Sequence, residues 1–191
     1  MKELILASSS PRRRELLNQV GFNFSIRHSS ADESRITTKD PKEKVKQLAT
    51  LKGKHVPINR HEVIIAADTV VSYQQEIFDK PKTKEEARKM ITSLSGETHD
   101  VFTGVMIRST HHEKVFVERT EVEFWPLSQK DIEWYVNTHE PYDKAGGYGI
   151  QNLGAVFVKR MNGDYFNVVG LPISLVVREL KTFGIHLHEH K

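Results

Sequence analysis

The segment 63–71 constrains the fold more than any other part of the sequence, because it is apolar almost throughout and is interrupted only by Asp68 and Thr69. An apolar run of this length, rich in β-branched residues, is typical of a strand buried within a sheet. An ionised carboxylate on such a strand is destabilising unless it is paired or lies at the rim of a cleft. The segment therefore predicts a buried strand that carries Asp68 at its carboxyl end, beside a cleft.

The rest of the chain mixes helix and strand patterns, without internal repeats or a linker. Ser10 followed by Pro11 marks a helix start, and Thr83 with Glu86 has the spacing of a capping box. We expect one α/β domain, residues 1–191, with two lobes. The predicted strands are 4–7, 22–28, 63–71, 99–108, 114–125 and 155–161, the last followed by a hairpin turn at Asn162-Gly163; the predicted helices are 12–20, one from Asp40 that carries Lys52 near its end, 83–94, 128–138 and 172–183.

Composition excludes several classes of protein. The chain has 191 residues, of which 38% are hydrophobic and 28% charged, as in a globular protein. Its apolar stretches are far shorter than the roughly 20 residues that cross a bilayer, and its first residues lack a secretion signal, so we expect a cytoplasmic protein. The absence of cysteine excludes disulfides, thiolate zinc sites and a cysteine nucleophile.

The charge pattern favours a small polyanionic partner over nucleic acid. The 28 Lys and Arg nearly balance the 25 Asp and Glu, for a net charge of +3. A nucleic-acid-binding protein concentrates basic residues on one face and often adds aromatic platforms, whereas the basic residues here are scattered beside loops. This pattern suits a compact anion such as a triphosphate.

The segment 8–13 is a candidate anion site. A strand that leads into a helix N-terminus presents free backbone N–H groups to a phosphate, and Ser8, Ser10, Arg12 and Arg13 add further donors. From local physics alone, the alternative is equally good: Ser10 caps the helix and the arginines are solvated.

Three further features have a functional and a structural interpretation. Asp68 could orient a metal ion or take a proton from water, or it could simply pair with an arginine. Lys80 and Lys82 could meet phosphate oxygens, or be ordinary surface. The glycine-rich segment 143–149 with Gln151 could approach a nucleobase, or form a tight turn. We assign no catalytic role to the tail histidines His186, His188 and His190.

Taken together, these segments resemble the Maf family in order and spacing. The resemblance spans nearly the whole chain, and such a long colinear set is specific although each motif alone is weak. The matching segments are 6–13 (Leu-Ala-Ser-Ser-Ser-Pro-Arg-Arg), 67–71 (Ala-Asp-Thr-Val-Val), 80–81 (Lys-Pro), 94–96 (Leu-Ser-Gly), 103–105 (Thr-Gly-Val), 140–151 and 163–172.

The resemblance implies an elongated α/β mixed-sheet fold related to the Ham1-type inosine triphosphate pyrophosphatases, with a cleft between two lobes and a homodimer. It implies hydrolysis of a nucleoside triphosphate between the α and β phosphates. Asp68 matches the proton acceptor of the family, and the other charged cleft residues are matched by Glu33, Lys52 and Lys80. The positions that select the base are matched by Arg12, Thr69 and Gln151, as in the dTTP/UTP branch rather than the branch that acts on 7-methyl-GTP.

We therefore expect a pyrophosphatase that uses a divalent cation, Mg²⁺ or Mn²⁺, held by Glu33, Asp68 and substrate phosphates. Lys52, Lys80, Arg13 and the amides of 8–10 would stabilise charge on the leaving pyrophosphate. The rival interpretation is a non-enzymatic regulator of septum formation that binds a partner. A protein that catalyses no reaction has no physical reason to keep a carboxylate such as Asp68 on an apolar strand.

Overall fold

The computed structural model describes residues 2–187, so His188 and His190 lie outside the described residues. Within these residues, a mixed sheet of seven strands is flanked by six α-helices. Among residues 2–187, no helix has the length and apolar character needed to cross a bilayer. The strands are β1 (Glu3–Leu6), β2 (Phe24–Ile26), β3 (Glu62–Tyr73), β4 (Glu76–Phe78), β5 (Thr98–Arg108), β6 (Glu113–Phe124) and β7 (Val158–Asn162); the helices are α1 (Pro11–Gln19), α2 (Pro41–His55), α3 (Lys84–Leu94), α4 (Gln129–Val136), α5 (Tyr165–Val169) and α6 (Ile173–Thr182).

The long strand β3 joins the parallel and antiparallel halves of the sheet. On one edge it pairs parallel with β1, which in turn pairs parallel with β2. On its other edge it pairs antiparallel with β5, and the sheet continues through β6 to β7. The sheet order is β2-β1-β3-β5-β6-β7, with β4 hairpinned onto β3.

A gap in the sheet lies along the first edge of β3. The pairing with β1 ends where Leu6 faces Ile65, and the pairing with β4 begins only at Val71. Asp68 and Thr69 lie between these two points. The chain that leaves β1 there becomes the loop 7–10 and then helix α1, so the gap opens toward that loop and toward the N-terminus of α1.

Two large hydrophobic clusters lie on either side of this gap. One packs α1 and α6 against the β1 end of β3, around Leu17, Ile65 and Val176. The other packs α3 and α4 against the opposite end of the sheet, around Ile91 and Tyr135. Each cluster is buried, and the polar residues of the gap separate them.

Most of the predicted elements are confirmed, and their start signals act as expected. The side chain of Asp40 accepts hydrogen bonds from the amides of Lys42 and Glu43 at the start of α2. Ser128 and Asp131 form a complete capping box at α4. At α1, Ser10 occupies the cap position and Pro11 follows it, but the Ser10 side chain makes no capping hydrogen bond, so its hydroxyl is not used by the helix.

The structure corrects the predictions at four places. Asp68 lies in the middle of β3, not at its end, because pairing with β5 and with β4 extends the strand to Tyr73. The strand predicted at 22–28 is only Phe24–Ile26, since β1 offers just three pairing positions.

The other two corrections concern the C-terminal third of the chain. The strand predicted at 155–161 begins at Val158, because Leu153–Phe157 is a 3-10 helix that buries Phe157. No hairpin follows Asn162-Gly163: Asp164 caps α5 there, its side chain accepting from the amide of Phe166.

Candidate active site

The gap in the sheet opens into a cavity of about 930 Å³. Its walls come from the loop after β1, the first turn of α1, one face of α2, the middle of β3, the loop before α3 and the segment around 143–152. All ten residues predicted to act on the substrate line this one cavity: Ser8, Ser10, Arg12, Arg13, Glu33, Lys52, Asp68, Thr69, Lys80 and Gln151. The structure therefore brings them together, while their individual roles stay predictions.

Asp68 belongs to a three-residue ionic group on the α2 side of β3. Lys52 Nζ lies 2.5 Å from Asp68 Oδ1 and 3.1 Å from Glu33 Oε2. The side chains of Lys52 and Asp68 are only 17% and 15% exposed, whereas Glu33, on a 3-10 turn, is 54% exposed. Lys52 thus balances the charge of Asp68 on the apolar strand. The partner of Asp68 is therefore a lysine and not the arginine that the sequence suggested.

Arg13 is a buried cation whose hydrogen bonds go to neutral oxygens. Its Nε donates to Gly170 O at 2.7 Å, Nη1 to Ser8 Oγ at 3.2 Å and Nη2 to Thr69 Oγ1 at 3.0 Å. No carboxylate within residues 2–187 forms an ion pair with it. Burial lowers the pKa of Arg13 from its ordinary value, an effect that the nearby charge of Asp68 opposes. Two of its five N–H groups are still free to meet an anion.

Thr69 is fixed by a chain of hydrogen bonds that runs into the core. Its hydroxyl lies 2.9 Å from that of Thr103 and accepts from Arg13. Thr103, which is fully buried, donates to Asn167 O at 3.0 Å. Thr69 faces the side of β3 opposite to Asp68, as the alternation of a strand requires.

Arg12 reaches across the cavity to the segment that follows α4. Its Nη1 donates to Asp143 Oδ2 at 2.7 Å and its Nη2 to Asp143 O at 3.2 Å. The other carboxylate oxygen of Asp143 accepts from Lys144 Nζ at 2.6 Å. Burial raises the pKa of Asp143, but the hydrogen bonds from Lys144 and Arg12 outweigh that effect and the net pKa is lowered, so its carboxylate is charged at neutral pH.

The loop before α3 adds exposed cations to the far wall. Lys80 and Lys82 both line the cavity and form no ion pair with any residue in 2–187. Asp79, in the same loop, is held by Lys44 at 2.8 Å. Gln151 is exposed on the opposite wall. The cavity thus holds more cations than acids within reach of a ligand, as a polyanion requires.

Sequence reasoning missed several residues of this cavity. Asp143 and Lys144 fell within a segment whose glycines drew attention, and neither was given a role. Lys44 was missed although a signal existed: Lys44, Leu48 and Lys52 recur every four residues on α2, so they share one helix face, and all three line the cavity.

The fit of a divalent cation rests on Asp68 and Glu33. No group of three or more His, Asp or Glu side chains within residues 2–187 is arranged to hold a metal ion. Lys52 bridges the two carboxylates, which places them on a common point. Mg²⁺ is commonly held by one or two carboxylates together with substrate phosphates. The two carboxylates fit such a site, which substrate phosphates would complete.

Structural comparison places the fold among known ones. The Ham1 protein of Staphylococcus aureus is similar, with a TM-score of 0.54 at 15% identity over 93% of this chain and 100% of that chain. A HAM1 protein from Coxiella burnetii gives a TM-score of 0.53 at 13% identity over 95% of this chain and 100% of that chain. These similarities confirm the predicted mixed-sheet α/β fold.

Sequence comparison finds much closer relatives. The chain is 53% identical over 188 residues to the dTTP/UTP pyrophosphatase of Geobacillus sp. (strain WCH70), which covers 96% of this chain and 100% of that protein. It is 49% identical over 186 residues to the dTTP/UTP pyrophosphatase of Bacillus pumilus (strain SAFR-032). This alignment covers 97% of this chain and 98% of that protein. The family model described as Maf-like protein matches residues 3–183. The chain therefore belongs to the Maf-like protein family.

Proposed function

We propose that this chain is a nucleoside triphosphate pyrophosphatase that hydrolyses dTTP and UTP to the monophosphate and pyrophosphate. The observation that carries the proposal is the buried guanidinium of Arg13, which faces the same cavity as Asp68 and has no acidic partner within residues 2–187. A buried cation without a directly bonded acidic partner is stabilised when an anion binds. The dTTP/UTP pyrophosphatases that share about half of its residues support the choice of substrate.

The triphosphate occupies the side of the cavity formed by the loop 8–10 and Arg13. The N-terminus of α1 lines this side, and the helix dipole adds a partial positive charge there. Lys80 and Lys82 approach from the loop before α3 and are free to pair with phosphate oxygens. These donors stabilise the charge that grows on pyrophosphate as it leaves.

Asp68 positions the attacking water or accepts its proton. Its Oδ1 is held by Lys52, so the carboxylate has a fixed orientation and its Oδ2 is directed by the same contact. A water held by Oδ2 attacks the α phosphorus, and the bond to the β-phosphate oxygen breaks. Lys52 keeps the carboxylate in place on an otherwise apolar strand.

A divalent cation, Mg²⁺ or Mn²⁺, is the proposed cofactor, with Glu33 and Asp68 as its protein ligands. When bound, it would neutralise the triphosphate and polarise its phosphorus centres. Activity that is lost with a chelator and restored by Mg²⁺ or Mn²⁺ is the expected result.

Base selection is assigned to Arg12, Thr69 and Gln151, which converge on the cavity from three separate segments. A site whose polar groups pair with one base leaves them unpaired with another, which costs about 1–3 kcal/mol for each buried group. We expect kcat/KM for dTTP and UTP to exceed that for dATP and dGTP by at least about tenfold.

The test is kcat/KM for each base, and for 7-methyl-GTP, in the wild type and in Gln151→Glu. The substitution removes the amide donors and adds a charge, so it should shrink the pyrimidine preference. A wild type that prefers a purine, or a variant that keeps the full preference, contradicts this assignment.

Three further expectations stay predictions. The two hydrophobic clusters on either side of the cavity suit the proposed two-lobed domain. A homodimer would be detected by measuring the molar mass of the protein in solution by light scattering. A cytoplasmic location and any link to septum formation are to be read from a tagged protein in cells.

A further inference from the structure

Two consecutive arginines enter the cavity in opposite electrostatic states. Arg13 is hydrogen-bonded to neutral oxygens and forms no ion pair within residues 2–187. Arg12 is held in a two-point contact by Asp143, on the opposite wall. Both lie in the first turn of α1, so the helix N-terminus cannot account for the difference. The difference is set by Asp143.

Asp143 is itself part of a line of alternating charges. Its Oδ1 accepts from Lys144 Nζ at 2.6 Å, and that ammonium also donates to Glu140 O at 2.8 Å and lies 3.7 Å from Glu140 Oε2. The side chains of Lys144 and Glu140 are only 10% and 16% exposed. The line from Arg12 to Glu140 holds two positive and two negative charges, so it is neutral as a whole.

The position of Lys144 is fixed by packing as well as by charge. A Cβ added at Gly149 would lie 2.6 Å from Lys144 Cε and 2.7 Å from its Cδ. The stem of Lys144 therefore lies directly on the backbone of Gly149, two residues before Gln151. Lys144 thus links the contact with Arg12 to the segment that carries Gln151.

We propose that Asp143 and Lys144 are positioning residues that hold Arg12 for recognition of the base. Asp143 neutralises the Arg12 charge and keeps its guanidinium away from the phosphates, which are left to Arg13. Two of the five N–H groups of Arg12 are used on Asp143, and three are left to donate to the cavity. This inference rests on the proposed function.

The free donors of a fixed guanidinium match carbonyl oxygens. Uracil and thymine present a carbonyl oxygen where cytosine presents an amino group, which is itself a donor. Arg12 held by Asp143 therefore favours UTP over CTP. Arg12 released from Asp143 is drawn toward the triphosphate, and this discrimination is lost.

A double-mutant cycle tests the proposal, using Arg12→Ala, Asp143→Ala and the double variant, with UTP and CTP as substrates. Asp143→Ala should lower kcat/KM for UTP by about tenfold, mainly by raising KM. It should also reduce the ratio of kcat/KM for UTP to kcat/KM for CTP. In the Arg12→Ala background, Asp143→Ala should have no further effect, because Asp143 acts through Arg12. Lys144→Met, which keeps the stem on Gly149, should shift the ratio in the same direction.

Equal losses from Asp143→Ala with and without Arg12, or an unchanged UTP to CTP ratio, would overturn the proposal. Asp143→Asn replaces Asp143→Ala in the cycle if the latter does not fold. Glu113→Ala, which breaks an exposed ion pair with Lys54 outside the cavity, is the matched control. It should leave kcat/KM for UTP and for CTP unchanged. Wild-type protein that does not hydrolyse UTP contradicts the proposed function instead, before any variant is compared.

Discussion

Asp68→Asn separates a chemical role of this carboxylate from a structural one. The substitution keeps the size of the side chain and an oxygen that can accept from Lys52, but it removes the negative charge. If Asp68 directs or deprotonates the attacking water, kcat should fall by about 10²-fold or more. The loss should be in kcat, because the groups assigned to the triphosphate and base are left in place.

The effect of Asp68→Asn on stability should be much smaller. A hydrogen bond to a charged group contributes about 1.5–3 kcal/mol, and the Asn oxygen keeps part of it while Glu33 still pairs with Lys52. We expect a loss of about 1–2 kcal/mol, which lowers Tm by roughly 2–8 °C in a domain of this size. The protein should therefore be folded at the assay temperature.

The assay is pyrophosphate release at saturating UTP, with thermal unfolding measured on the same samples. Asp100→Asn is the matched control, since Asp100 lies on the neighbouring strand β5 and is bonded to Arg119 at 2.9 Å, outside the cavity. It should leave kcat unchanged. A folded Asp68→Asn protein with near-normal kcat, or an equal loss in Asp100→Asn, would refute the reasoning.

Two further predictions concern buried charges. Arg13→Lys should lower kcat/KM by at least about tenfold, because an ammonium cannot make the three fixed hydrogen bonds of the guanidinium; Arg14→Lys, one residue further on and exposed, should have no effect. Hydrogen bonds from Arg27 lower the pKa of the Glu62 carboxyl from 4.5 to about 2, so its stabilisation is complete above pH 4.5 and is lost as the pH falls toward 2. Glu62→Gln should therefore reduce the free energy of unfolding, measured in urea, at neutral pH and much less near pH 2; an equal reduction at both would contradict this.

The fold was predictable where local signals and burial agree. Strand β3 and the starts of α2, α3 and α4 follow from apolar runs and capping side chains, which act within a few residues. The predicted length of β2 is too great because the actual length is set by pairing with β1, a strand distant in sequence. Asn162-Gly163 was misinterpreted because Gly163 takes a φ of +134° beside Thr120, where a Cβ would lie 2.8 Å from the threonine hydroxyl. That contact is tertiary and has no signature in the local sequence.

The candidate site was predictable as a set of residues but not as a set of contacts. Asp68 was identified because an unpaired carboxylate on an apolar strand is destabilising. Its partner Lys52, however, comes from another element sixteen residues earlier. The contact of Arg12 with Asp143 spans 131 residues, and no local pattern points to it. Chemistry can therefore be inferred from residue types, whereas the pairing of charges depends on the fold.

The position of water attack tests the central claim most directly. Hydrolysis of UTP in water labelled with heavy oxygen, followed by mass spectrometry of both products, shows which phosphorus is attacked. We predict that the label enters the nucleoside monophosphate and that unlabelled pyrophosphate is released, because Asp68 directs water to the α phosphorus. Label in pyrophosphate, or accumulation of the diphosphate with orthophosphate, would contradict the account.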